Sequence, residues 1–147
     1  MVSQCEGWGL SMNRLAYKEG YKYKVQDTFK YDTGIKGVEI YTDYCSLSPD
    51  GTLSIYKNYS WDGPSGPALD TINFMRGSLV HDCLYQLIAD DLLLFSYRRA
   101  ADDLLIAICK EDGMRAARRW WVRLAVINFG AQAIEHRNPV LFAPEKP

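Results

Sequence analysis

A run rich in glycine and proline, residues 58–73, divides this 147-residue chain into two parts whose apolar residues repeat with different periods. Before it, from Tyr21 to Lys57, Tyr, Val, Ile and Thr recur in period-two stretches such as Tyr21-Lys22-Tyr23-Lys24-Val25 and Val38-Glu39-Ile40-Tyr41. Side chains alternate across a pleated strand, so this spacing sends one row into a core and the other into water. Asp32-Thr33-Gly34 and Ser48-Pro49-Asp50-Gly51 interrupt the pattern with turn chemistry. Three strands are therefore predicted, at about 21–31, 35–46 and 52–57, forming a small antiparallel β-meander.

After Asn73 the spacing becomes helical. A first helix is predicted from Phe74 to Asp91, with Leu79, Val80, Cys83, Leu84, Leu87 and Ile88 as its apolar stripe. A second starts with Ser96 as N-cap, carries Ala101, Leu104, Leu105 and Ile108 inward, and stops at Gly113. The third runs from Met114 to Ile134. It is expected to bury Trp120, Trp121, Leu124, Ile127 and Ala131, with Arg115, Arg118, Arg119 and Arg123 toward solvent. Strands followed by helices give an α+β fold, and the length suits one domain, with an N-terminal arm over 1–20 and an extended tail over 135–147.

Charge and residue counts then narrow the function. With 17 basic against 18 acidic side chains, there is no global field to attract nucleic acid, so no specific nucleic-acid binding is expected. The longest nearly apolar run, Leu124 to Ile134, falls short of the roughly 20 residues of a spanning helix, and a soluble protein without a transmembrane segment is expected. Cys5, Cys45, Cys83 and Cys109 form no C-x-x-C pair. With no signal-peptide pattern at Met1-Val2-Ser3-Gln4-Cys5-Glu6, they read as free thiols of a reducing cytoplasm. Two histidines, His81 and His136, exclude a three-histidine zinc site and a histidine-aspartate phosphohydrolase, leaving chemistry that runs on one imidazole. His136 is expected at the surface.

His81-Asp82-Cys83-Leu84-Tyr85 supplies that imidazole. His81 and Tyr85 are four residues apart, hence on one helix face beside Leu84 and Ile88 and turned toward the second helix. That helix offers two carboxylates. Asp103 falls on its polar face in line with Arg99 and near Lys110, whereas Asp102 falls beside Leu105 and Cys109 at the edge of the core stripe. Asp102 is therefore the expected partner: accepting from one ring nitrogen of His81 would fix the tautomer and leave the other free to take a proton from water. Tyr85 would donate to the same carboxylate. The alternative is structural, a His-Asp-Tyr cluster that only satisfies buried polar groups.

His81-Asp82-Cys83-Leu84-Tyr85 followed by Asp102 resembles the H-D-x-x-Y…D pattern of the secreted phospholipase A-two fold, including its bacterial and parvoviral-capsid versions. The resemblance implies an antiparallel helix pair with His81 as general base, Asp102 and Tyr85 as its orienters, and Asp82 as a calcium ligand. It also implies a calcium loop upstream. Trp61-Asp62-Gly63-Pro64-Ser65-Gly66-Pro67 stands at a comparable distance, with carbonyls of Trp61, Gly63 and Gly66 as further ligands. The cysteines that staple that family and its Y-G-C-x-C-G-x-G loop are missing. A longer set of segments resembles small phage and prophage proteins classed as a domain of unknown function: Tyr59 to Pro67, Asp70 to Asp82, Ala101-Asp102, and Trp120-Trp121 through Phe129-Gly130.

Two functions follow from these readings. The first is a phage virion or assembly component: made in host cytoplasm, assembled into the particle, it would dock on other structural proteins or on further copies of itself. The Arg stripe Arg115, Arg118, Arg119 and Arg123 is its candidate partner surface, if not a solvated face. The second is a calcium-dependent hydrolase of lipid or other envelope esters with His81 as base.

Overall fold

The computed structural model describes residue 15 and residues 17–18, 23–61 and 72–136, with side chains at residue 15 and over 23–61 and 72–128. Among the described residues, seven short strands precede the helices: β1 (Tyr17–Lys18), β2 (Tyr23–Val25), β3 (Phe29–Asp32), β4 (Ile40–Tyr41), β5 (Cys45–Leu47), β6 (Thr52–Ile55) and β7 (Ser60–Trp61). They form two antiparallel sheets, one in the order β1-β2-β7 and one in the order β3-β6-β5-β4. The α+β fold with strands first is as expected, and β4, β5 and β6 are a meander.

The boundaries differ from the periodic reading in several places. Tyr17–Lys18, in the expected N-terminal arm, is β1, because its backbone pairs with Lys24 and Val25 of β2. The stretch 21–31 is two strands in different sheets, parted at residues 26–28. Within 35–46, only β4 and β5 are strand. The Thr42 hydroxyl lies between them, donating to the Cys45 carbonyl at 2.8 Å and accepting from the Tyr44 and Cys45 amides. These local side-chain bonds compete with the ladder and turn the chain. Part of the expected Gly/Pro loop is β7, where Ser60-Trp61 pairs with β2 and Trp61 packs against Tyr23, ring centroids 5.5 Å apart. Residues 62–71 of that loop, the arm apart from residue 15 and β1, and the tail after residue 136 lie outside the described residues.

Register explains which strand residues build the core. Phe29, Ile55 and Cys45 align across the larger sheet, as do Tyr31, Leu53 and Leu47, with Ile40 opposite Leu47. These rows, apart from half-buried Tyr31, are buried with Leu79, Val80, Cys83, Leu84, Leu87 and Ile88 of α1 (Ile72–Ala89), the predicted stripe of the first helix. That helix is buried around most of its circumference, as expected of a helix covered on more than one side.

A short 3-10 turn, Phe95–Tyr97, leads into α2 (Arg98–Glu111). Ser96 sits inside that turn and does not cap the helix, because Tyr97 takes the N-cap position and no side-chain cap bond forms. Gly113 does end α2: at φ +88° it lets its own amide reach the Lys110 carbonyl and the Met114 amide reach Cys109. α1 and α2 run antiparallel. Arg76 meets Glu111 and Asp112 at one end, while His81 and Tyr85 meet Asp102 nearer the other.

The third helix, α3 (Ala116–His136), packs on the face opposite to the expected one. Trp120 is 64% exposed and Trp121, Leu124 and Ile127 are also exposed, while Val122 is buried with Phe74, Leu105, Cys109 and Met114. Small valines allow close approach, and the arginines bordering them find oxygens. Arg119 donates to the Met114 carbonyl and Arg123 to Asp103. Of the predicted Arg stripe, Arg115 is exposed and Arg118, Arg119 and Arg123 are half-buried; the side chain of Ala131 lies outside the described residues.

Candidate functional site

The site begins with a glycine. A Cβ on Gly77 would lie 3.0 Å from Leu105 Cδ1 and 3.2 Å from both the Leu105 carbonyl oxygen and Cys109 Sγ. Its missing side chain therefore sets how closely α2 approaches α1. One turn further along α1, His81 faces α2 and is 8% exposed. Its Nε2 lies 2.8 Å from Asp102 Oδ1, and the Tyr85 hydroxyl donates to the same oxygen at 2.5 Å. Asp102 is itself 6% exposed, so one buried carboxylate oxygen gathers both groups that sequence spacing assigned to it. The rings of His81 and Tyr85 lie 4.0 Å apart at 37°.

An ionised Asp102 can only accept, so the imidazole donates from Nε2 and Nδ1 keeps the lone pair. Asp82 Oδ1 stands 3.7 Å from Nδ1, beyond hydrogen-bond range. The Asp82 side chain is 23% exposed against 10% for His81, which makes the Asp82 side the wetter edge of the ring. Burial works against a charged imidazole at this position. The hydrogen bond to Asp102 and the nearby Asp82 outweigh it and hold the His81 pKa above its usual value. Tyr85 is held well above the ordinary phenol range by burial and by Asp102.

Two neighbours escaped sequence reasoning. Trp61 Nε1 donates to the Ser78 hydroxyl at 3.2 Å, and Ser78 donates to the Met75 carbonyl, tying the end of β7 to α1 one turn before His81. Nothing in the sequence joins Trp61 to Ser78. Arg98 is the other: its Nε lies 4.0 Å from Asp102 Oδ2, and its i,i+4 spacing to Asp102 was the available signal. Asp103 is exposed as expected, and its carboxylate receives Arg123 of α3 at 3.0 Å.

The expected cation ligands are only partly visible. Trp61 and Asp82 are among the described residues, whereas Gly63 and Gly66 lie outside them. Among the described residues no three His, Cys, Asp or Glu side chains are grouped to hold a metal ion. Among them, too, no helix is long and apolar enough to cross a membrane. Comparison with protein-family models, with curated proteins and with solved structures finds no match for this chain.

Proposed function

We propose that this chain is a hydrolase of carboxylic esters in which His81 is the general base. One observation carries the reading: Asp102 Oδ1 accepts from both His81 Nε2 and the Tyr85 hydroxyl inside the α1–α2 interface. A carboxylate so placed fixes the imidazole's tautomer and rotation and stabilises the imidazolium that forms. Water bound at Nδ1 gives up a proton to that nitrogen as its oxygen attacks the ester carbonyl carbon. The resulting tetrahedral intermediate expels the alcohol, which takes the proton back from Nδ1, and an acid and an alcohol leave. Calcium, when bound, would supply positive charge opposite the developing oxyanion, with Asp82 and carbonyls of Trp61, Gly63 and Gly66 as the proposed ligands.

The test is hydrolysis of a fluorogenic phospholipid in vesicles and of a soluble aryl ester, each with calcium or with chelator. Calcium-dependent release that disappears in His81→Gln, with an unchanged circular dichroism spectrum, is expected. A folded protein that cleaves neither substrate in calcium overturns the proposal.

A second reading is an assembly module of the kind the phage resemblance implies, docking through α3 on other structural proteins or on a second copy. It is favoured by the exposed apolar row Trp120, Leu124 and Ile127, with Trp121 beside it. Arg115 and the half-buried Arg118, Arg119 and Arg123 border that surface. Sedimentation velocity across a concentration series tests its self-assembly form; association is expected and should be lost in Trp120→Gln/Leu124→Gln. A monomer at every concentration overturns that form.

A further inference from the structure

The connection between α1 and α2 turns apolar side chains outward. Leu94 is 71% exposed, Phe95 57% and Leu92 48%, while Leu93 among them is buried in the main core and anchors the segment. Much of its backbone is bonded from within. The amides of Asp91, Leu92 and Leu93 donate to carbonyls of α1, the Tyr97 amide to Leu94, and the Arg98 amide to Phe95. An apolar phase offers no partner to a backbone group, so a segment that enters lipid needs such internal bonds, whereas one that docks on protein does not.

Arg98, which follows this segment, donates from Nη2 to the carbonyls of Val126 and Ile127, at 3.1 Å and 2.9 Å, and so holds the end of the connection beside α3. There Ala117, Trp120, Leu124 and Ile127 form an exposed row at the spacing of one helix face, with Trp121 exposed beside it. Arg118 and Arg123 flank the row and exposed Arg115 precedes it; Arg119, turned inward, donates to the neutral carbonyl of Met114. Arg123 is paired with Asp103. No Asp or Glu occurs from residue 113 to residue 134, so the helix itself carries nothing to offset its four arginines. Against them, Asp91 is exposed at the start of the connection. Tryptophan and leucine on one face with arginine at the edges is the composition of a helix that lies on an anionic bilayer, its tryptophans at headgroup depth.

We propose that the connection Leu92–Phe95 and the exposed face of α3 form one docking surface for an anionic lipid bilayer. Leu94 and Phe95 enter the acyl boundary, Trp120 and Trp121 lie among the headgroups, and Arg115 and Arg118 face the lipid phosphates. A second copy or another protein seated on α3 would use the row alone; the outward, internally bonded connection is the part that selects lipid. Docking needs no turnover and stands apart from the reading of His81 as base.

The experiment is flotation of the full chain across a lipid concentration series with chelator present, comparing vesicles of phosphatidylcholine mixed with phosphatidylglycerol against phosphatidylcholine alone. The mixed vesicles are expected to bind about tenfold more tightly or better, and less so as salt rises. Leu94→Gln/Phe95→Gln and, separately, Arg115→Glu should each weaken that binding by about tenfold or more. All three side chains are exposed, so the circular dichroism spectrum should not change. No binding to the mixed vesicles overturns the proposal, and self-association lost in Trp120→Gln/Leu124→Gln would then assign the face to a second copy. Equal binding to both vesicle types overturns it, as does binding untouched by Leu94→Gln/Phe95→Gln. Vesicle binding without ester cleavage removes the hydrolase and keeps the docking surface, while cleavage of the soluble ester without vesicle binding does the reverse.

Discussion

Asp102 is the residue on which the site turns, because two donors from α1 converge on a single oxygen of its buried carboxylate. Replacing it by Asn keeps the shape and removes the charge. Burial, which opposes the imidazolium, then acts on His81 with Asp82 as the remaining described carboxylate to counter it. The His81 midpoint in Asp102→Asn is therefore expected to fall. Stability should drop by about 1–3 kcal/mol, the cost of imperfectly partnered buried groups. Histidine NMR and urea unfolding measure the two effects, and an unchanged midpoint would mean that the carboxylate does not govern the ring. The spacing of His81, Tyr85 and Asp102 was legible because each relation is local to a helix. The anchoring of Arg98 was not, because its guanidinium is held by carbonyls of α3 that lie 28 and 29 residues away.

At the level of elements, the closeness of α1 and α2 depends on Gly77. Alanine there gains about 1 kcal/mol of helix propensity. It also drives a methyl against the Leu105 backbone oxygen, which cannot rotate aside as a side chain can. Gly77→Ala is expected to lose about 1–2 kcal/mol net in urea unfolding; a more stable variant would show that the helices can separate freely. The third helix makes the opposite kind of prediction. With Trp120 64% exposed, Trp120→Gln should change folding stability by less than about 0.5 kcal/mol. A buried tryptophan would lose far more, about 3–5 kcal/mol on truncation to alanine. The same urea measurement therefore decides which face of α3 is buried.

Across the whole molecule, side chains bridge the larger sheet to the helices. The Tyr31 hydroxyl donates to Glu111 at 2.9 Å, and Arg76 pairs with Glu111 and Asp112 while lying 5.8 Å from the Tyr31 ring centroid. At another point Tyr44 donates to Asp90 at 2.7 Å. Global stability is also linked to the site through pH. The hydrogen bond to Asp102 and the nearby Asp82 hold the His81 pKa above its ordinary value, so the folded chain binds its proton more tightly than the unfolded chain does. That stabilisation is fully present below the unfolded value and is lost as pH rises through the folded one. Urea midpoints should therefore decline as pH rises above the ordinary imidazole range, and His81→Gln should flatten the decline. An identical slope in the variant would assign it to other groups.

By itself, the sequence determined the order of strands before helices, the buried stripe of α1, the glycine stop of α2, and the meeting of His81 and Tyr85 with Asp102. All of these follow from periodicity or from spacing within a helix, which the local backbone enforces. Only the tertiary structure decided how the strands divide into two sheets, which carbonyls aim Arg98, and which side of α3 lies inward. Both faces of that helix are apolar, Val122 and Val126 on one and Trp120, Leu124 and Ile127 on the other, so periodicity cannot rank them. The choice fell to the slot left by Phe74, Leu105, Cys109 and Met114, where a small side chain permits close packing and the flanking arginines reach oxygen acceptors.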